Sequence, residues 1–424
     1  MRHIKIRFGI LIFFVLVFTE LGMQTFGLEK MSIYIRPMLY LGLALSYLAV
    51  GLYLSKSTVP LKGWDPGDKA YIIHAIVLFA MLVLLFFSWT ALSDIVKNNV
   101  IDPSNSDVIP CVDAYVQRLF SGEKVYEVIH FPQWDVAPTY LTMMWFPYTL
   151  AHILGMDYRL FSFFIFVIFL LTLYGKSLWQ QPRKVELGGV FLLASLMLWL
   201  LIRSDTGIFA FTLELTIAVF YMILALTILH RSSVVMALGI LLCLLSRYSL
   251  SFWLVSYVLV IGMVRGWKEF AKVNLYVLAG VLLLFFPFIA DNPHIFIQGF
   301  KYYDIAALGE WKVQDWQAPG EDPFQLSRGF GFAIYFYKLA GGAVVERLKL
   351  LQTTHMILSF LAGISVFILY FMNRQSIVRP RLFLMFGLKF FLMIFLVFLQ
   401  VPYSYLFLVP LFLSIPILYE IYEG

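Results

Sequence analysis

The chain has 424 residues, 61% of them hydrophobic and only 13% charged, with a mean hydropathy of +0.86. Soluble domains carry about a quarter charged residues, so a soluble globular protein is excluded. The net charge of +6 sits in short loops, where it suits membrane topology rather than nucleic acid.

Apolar runs recur along the whole chain, each long enough to cross a hydrocarbon core of roughly 30 Å. They are too long and continuous for barrel strands. Backbone polar groups in lipid must be satisfied internally, and the fold class that follows is an all-α polytopic membrane protein. "MRHIKIR" precedes the first run. No small-residue cleavage site follows and a second span comes at once, so the first run is a retained helix rather than a signal peptide. The expected spans are 8–28, 33–55, 70–93, 159–179, 187–203, 207–230, 233–247, 249–265, 272–290, 348–372, 382–399 and 403–420, about 12 in all. If they alternate, the basic clusters fall on one side, which is then the cytoplasm. These clusters are Arg2/Lys5/Arg7, Lys56/Lys62/Lys69, Arg183/Lys184, Arg231, Arg265/Lys268/Lys272 and Arg374/Arg379/Arg381.

The opposite side receives two long loops, 94–158 and 291–347, rich in Asp, Glu, Trp and Tyr. Within them 107–121, 138–155 and 329–345 read as interfacial or re-entrant helices. A spanning 138–155 would flip every later loop and put the basic clusters outside. The stretch 291–324 is expected to cover the site as a lid or acceptor shelf, or simply to cap it. There is no internal repeat and no soluble domain. Cys111 lies in the first long loop and Cys243 in an apolar run, so no disulfide framework is read.

No phosphate-binding glycine loop, HExxH or paired CxxC is present. The seven histidines form no i, i+4 pair, and His152 and His355 read as packing residues. Polar chemistry concentrates in "SDVIPCVDAYVQRLFSGEKVYE" (106–127), which holds Asp107, Asp113, Glu123 and Glu127. An acid here has two readings: a general base for an acceptor hydroxyl, or a solvated loop face. Three charges stand at span ends on the same side: Arg203 and Asp205 in "LIRSDTGIF" and Arg247 in "LLSRYSLSFW". Such charges tend to face cavities, unless they snorkel to headgroups. Arginine suits phosphate well. Trp134, Tyr140, Trp145, Tyr148, Tyr302, Tyr303, Trp311 and Trp316 form an aromatic belt, some of it placed to stack on a sugar ring.

The order of these elements carries a resemblance. "SDVIPCVDAYVQRLFSGEKVYE", followed by "FPQWDVAPTYLTMMWFPYTLAHILG" and "YRLFSFFIFVIFL", resembles the opening of GT-C fold glycosyltransferases. It is most similar to glycosyltransferase family 87, the polyprenol-phosphate-mannose-dependent enzymes. "LFSGEKVY" (119–126) stands at the family's helix end, and "APTY" (137–140) replaces its usual double proline. "QVPYSYLFLVPLF" (400–412) resembles its last outer turn. The likeness covers roughly 70–420.

The resemblance implies a GT-C-like catalytic module over 70–424, with 1–69 as two additional N-terminal helices. It also implies inverting transfer of mannose or a similar hexose from a polyprenyl-phosphate donor. The acceptor would be a glycan, glycolipid or protein on the extracytoplasmic face of a bacterial inner membrane, in cell-envelope glycan biosynthesis. By position Asp107 is then the base, Asp113 the runner-up and Asp135 a weaker candidate. Arg247 falls at the phosphate site, Arg203 or Asp205 at another outer-turn position, and Tyr140, Tyr403 and Tyr405 along the substrate groove. No cofactor is implied and no acidic triad calls for a metal. The alternatives are a transporter or flippase for a lipid-linked or anionic substrate, and a polysaccharide polymerase or ligase of another fold.

Overall fold

The computed structural model describes residues 2–27, 30–57, 66–132, 134–314, 316–318 and 320–423; Lys62 of the expected basic clusters lies outside them. Nearly all regular structure is helical, beside one antiparallel pair of two-residue strands, Ile129–His130 with Asp135–Val136. Nine helical stretches among the described residues are long and apolar enough to cross a bilayer. They are Arg7–Phe26, Ile35–Ser55, Ala70–Asn98, Tyr158–Gln180, Val185–Ser204, Tyr248–Arg265, Val344–Asn373, Pro380–Val397 and Ser404–Glu423. These helices make the chain a multi-pass membrane protein.

The other three expected spans take different forms. The single span expected over 207–230 is broken. Asp205 caps a short helix, Thr206–Phe211, the chain runs extended at Thr212, and Glu214 opens a second helix, Glu214–Thr227. The span expected over 233–247 is the 12-residue helix Ser233–Leu244. At 1.5 Å per residue that is about 18 Å, short of the hydrocarbon core. The helix Trp267–Leu284 replaces 272–290, and its first turns carry Lys268, Glu269 and Lys272.

Pro380–Val397 and Ser404–Glu423 are the most buried spans. The N-terminal helices pack directly on the former. Phe13 meets Phe386 edge-on at 5.1 Å, and Gly51 lets the backbone approach so closely that a Cβ there would meet Phe386 at 2.3 Å. A wholly buried ion pair pins the contact, with Lys389 Nζ 2.6 Å from Glu20 Oε2. Lys389 also donates to the Pro410 carbonyl and, at 3.0 Å, to Ser414 Oγ, so its three protons have three acceptors. Tyr47 donates to the same Glu20 oxygen at 2.8 Å, and its ring lies 4.2 Å from the ammonium. A buried pair is tolerated only when satisfied in this way. Residues of segment 1–69 are therefore keyed into the core of segment 70–424.

Residues of four of the expected basic clusters gather at one end of the bundle. Lys184 donates to the carbonyls of Tyr422 and Glu423 at 2.9 Å, capping the last helix. Arg381 pairs with Glu420 at 2.9 Å, and Arg265 reaches the Arg231 carbonyl at 2.8 Å. The long loops pack on each other at the opposite end. Tyr126 meets Phe296 at 4.9 Å, and Tyr248 meets Phe300 at 5.2 Å. Gly299 lies so close to the first loop that a Cβ would stand 2.0 Å from the Pro138 carbonyl.

Neither 138–155 nor 329–345 is one helix. The first forms Thr142–Trp145 and Tyr148–Ile153, interrupted at Pro147, which offers no amide hydrogen. The second forms Ala333–Leu339 and then breaks before Val344.

Candidate functional site

Asp107 opens the helix Val108–Ser121 but does not cap it; its carboxylate bonds none of that helix's amides beyond its own. The helix ends at Gly122, whose left-handed φ of 71° lets Glu123 N bond the Arg118 carbonyl at 2.9 Å. Arg118 then gathers the carbonyls of Val125, Glu127 and Val128. This ties down the loop that follows and fixes the helix carrying Asp107.

Among the described residues, no other side chain hydrogen-bonds the Asp107 carboxylate. Burial raises its pKa above the ordinary carboxylate range. Its neighbours come from three other segments: Tyr140, Tyr302, Glu310, Tyr403 and Tyr405 all stand within electrostatic reach. Burial first, and then the Asp107 charge, pushes up the phenols of Tyr140 and of Tyr302, the latter to about 12.

Arg247 enters the same space from the break between Ser233–Leu244 and the turn Tyr248–Leu250. Its amide bonds the Cys243 carbonyl at 3.0 Å, and the adjoining Leu245 carbonyl receives Met143 N at 2.7 Å. Its guanidinium pairs with Glu214 and stands within reach of Tyr140, Tyr303 and Tyr405. Glu214 is almost wholly buried, while Arg247 keeps 26% of its side-chain surface. Arg247 Nε and Glu214 Oε1 are buried without a hydrogen-bond partner, so this ion pair is only half satisfied.

The helix Ile295–Glu310 roofs the cleft, docked at its start by Gly299 on Pro138. At its end Trp311 Nε1 donates to the Gln400 carbonyl at 2.8 Å. Gln352 bridges Asp304 at 2.9 Å and Gln400 at 2.6 Å, and Gln400 bonds Tyr303. Tyr403 donates to Glu310 Oε1 at 3.4 Å and stacks on Tyr405, ring centres 5.4 Å apart. Tyr303 remains 40% exposed.

A shallow apolar groove lies between Ser251–Arg265 and Val344–Asn373. It is lined by Phe252, Val255, Leu259, Phe360, Ile364 and Phe367. Its one polar lining group, the Ser256 hydroxyl, is used internally by the Gly363 carbonyl at 2.6 Å. Val255 and Phe360 are more than half exposed.

The sequence-chosen residues thus divide. Asp107, Arg247, Tyr140, Tyr403 and Tyr405 share one cleft. Asp113 lies outside the residues around Asp107. It accepts from Tyr158 Oη at 2.9 Å and Gln117 Nε2 at 2.6 Å, a joint between two helices. Asp205 caps Thr206–Phe211 through Ile208 N at 3.2 Å, and Arg203 is exposed at the preceding helix end. Asp135 pairs with His130 on the exposed hairpin. Glu123 and Glu127 are solvent-exposed. His152 stacks on Phe120 at 4.9 Å and His355 packs on Phe395 at 4.4 Å.

Two acids were missed. Glu214 carried a usable signal, since an acid inside an apolar run is costly unless it is paired. Glu310 carried none, because its position depends on how the roof helix docks. No group of three or more His, Cys, Asp or Glu able to hold a metal occurs among the described residues. No protein-family model, no curated protein and no solved structure matches the chain.

Proposed function

We propose that the protein is an integral membrane glycosyltransferase. It moves a hexose, by family likeness mannose, from a polyprenyl-phosphate donor to a glycan, glycolipid or protein acceptor at the end bearing the long loops. That end faces outward from a bacterial inner membrane. The observation that carries this reading is the convergence of Asp107, Arg247 and a set of tyrosines, drawn from distant segments, on one roofed cleft.

In the reaction the acceptor hydroxyl attacks the anomeric carbon from the face opposite the phosphate. The glycosidic bond to phosphate breaks and the phosphate leaves with the electron pair. Asp107 takes the acceptor's proton. A carboxylate held in its basic range by burial, with no competing donor, suits that task. Arg247 and the phenols supply hydrogen-bond donors to the substrate. No metal or cofactor is part of the scheme.

A second reading is a transporter or flippase. The short helices Glu214–Thr227 and Ser233–Leu244, with charges at their breaks, are the kind of interrupted elements transporters use around an ionic substrate.

One experiment separates the two. Purified protein in nanodiscs is given a panel of polyprenyl-phosphate hexoses with a membrane extract as acceptor source. Transfer from one donor is the expected result. No transfer from any donor, together with donor movement across proteoliposomes, replaces the first reading with the second.

A further inference from the structure

The first helix does not finish as an α-helix. Arg2–Gly22 passes into a π-helical turn, Met23–Gly27. Such turns are rare and recur at functional sites. This one presents Gln24, which is 6% exposed. A buried amide is costly unless it is bonded. Gln24 Nε2 donates to the Phe407 carbonyl at 2.7 Å, across 383 positions of chain.

Phe407 closes the short 3-10 turn Ser404–Phe407, which with the preceding Tyr403 brings two tyrosines to the cleft. This turn has little backbone of its own to hold it. The piece that follows, Leu408–Phe412, is five residues long, and Pro410 within it offers no amide hydrogen. Contacts from elsewhere fix the turn instead. Tyr40, fully buried on the second helix Ile35–Ser55, stacks on Phe330 at 5.2 Å and meets Phe407 edge-on at 5.0 Å. Gly329 lies so close to the turn that a Cβ would stand 1.7 Å from the Pro402 carbonyl. Arg36 ties down that glycine segment, donating from Nη1 to the Ser327 carbonyl at 2.8 Å. On its other side the turn touches the roof. Tyr403 Oη donates to Glu310 Oε1 at 3.4 Å, and Trp311 Nε1 donates to the Gln400 carbonyl at 2.8 Å.

We infer that Gln24 is a positioning residue for the cleft. Its amide, aimed by the π-turn, fixes the outer turn 400–407 and with it Tyr403 and Tyr405. The helices of segment 1–69 therefore complete the substrate site instead of standing beside it. The hold on the turn is independent of the reaction, whereas its effect on substrate rests on the transferase reading. On that reading the phenols bind substrate and take no part in the proton step. A loosened turn then weakens binding and leaves the chemical step close to wild type.

The test is amide hydrogen exchange on the full chain in nanodiscs, read by mass spectrometry. Gln24→Met keeps the length of the side chain and removes the donor. Tyr40→Leu removes the ring from Phe407 and gives a second route if the first variant folds poorly. In each, exchange over 400–408 quickens about fivefold, while Val108–Ser121 and Pro380–Val397 exchange as in the wild type. With the polyprenyl-phosphate hexose that the wild type consumes, Gln24→Met raises KM about fivefold and leaves kcat within about twofold. Unchanged exchange over 400–408 in both variants overturns the inference. Faster exchange spread over the whole chain overturns it too, because Gln24 is then a general stabiliser. A loosened turn with an unchanged KM removes the positioning role. If the turn loosens as stated but no form of the protein consumes any donor, the hold on the turn stands and the transferase reading fails.

Discussion

Arg247→Ala tests the site's electrostatics and its stability together. Glu214 sits at the start of an apolar helix, its side chain 1% exposed, and Arg247 is the cation it pairs with. Truncating the arginine leaves a buried carboxylate with neither partner nor water. Breaking a buried pair costs roughly 3–5 kcal/mol. Arg247 keeps 26% of its surface, so the lower end, about 3 kcal/mol, applies here. Adding Glu214→Gln removes the stranded charge and returns most of that loss, while donor binding stays impaired because the guanidinium is still missing. Thermal unfolding in detergent gives the stability cycle, and titration with a polyprenyl-phosphate hexose gives the binding. If Arg247→Ala is as stable as wild type, or the double variant is no more stable than the single one, the pair does not hold the site as described. If donor affinity is unchanged, Arg247 does not touch the donor.

The same logic applies to Lys389 and Glu20, both fully buried. Lys389→Met lowers stability by about 3–5 kcal/mol, and Lys389→Met with Glu20→Gln recovers most of it, read as the unfolding midpoint in detergent. Asp113→Asn weakens the joint to Tyr158 by about 1 kcal/mol and leaves turnover near wild type in the transfer assay. A turnover loss as deep as that of Asp107→Asn would move the base one turn or two along the helix. Gly299→Val drives a side chain into the Pro138 carbonyl and costs about 1–3 kcal/mol as overpacking. It should lift the roof helix, seen as faster tryptic cleavage at the exposed Lys301.

Much of the fold was legible because lipid leaves the chain few choices. Long apolar runs had to be helices, and their lengths could be counted. What failed to show was where a run is interrupted. Thr206 to Thr227 looks continuous by hydropathy, yet Asp205 caps a first short helix and Glu214 starts a second at the ion pair with Arg247. The break leaves Glu214 against Arg247, 33 positions away. Likewise 138–155 reads as a single interfacial helix, yet it breaks at Pro147, with Trp145 of the first piece packed on Phe288 and bonded to Tyr126.

In the site, Arg247 stood out as a charge beside apolar runs, and the family resemblance singled out Asp107. Asp113 and Asp205 were candidates too and are a helix joint and a cap. Sequence position alone does not separate a free carboxylate from one already bonded. Glu310 lay in the 291–324 stretch expected to cover the site, but nothing in the sequence set it apart from Asp291 and Asp304 there.

The central claim is that Asp107 carries the proton step, and single-turnover transfer with preloaded donor tests it most directly. Asp107→Asn should bind donor as the wild type does and transfer roughly 10²–10⁴-fold more slowly. The wild-type rate should fall as pH drops through a midpoint above the ordinary carboxylate range, because burial raises Asp107 and only its ionised form accepts a proton. An Asp107→Asn protein that transfers at the wild-type rate would contradict the account.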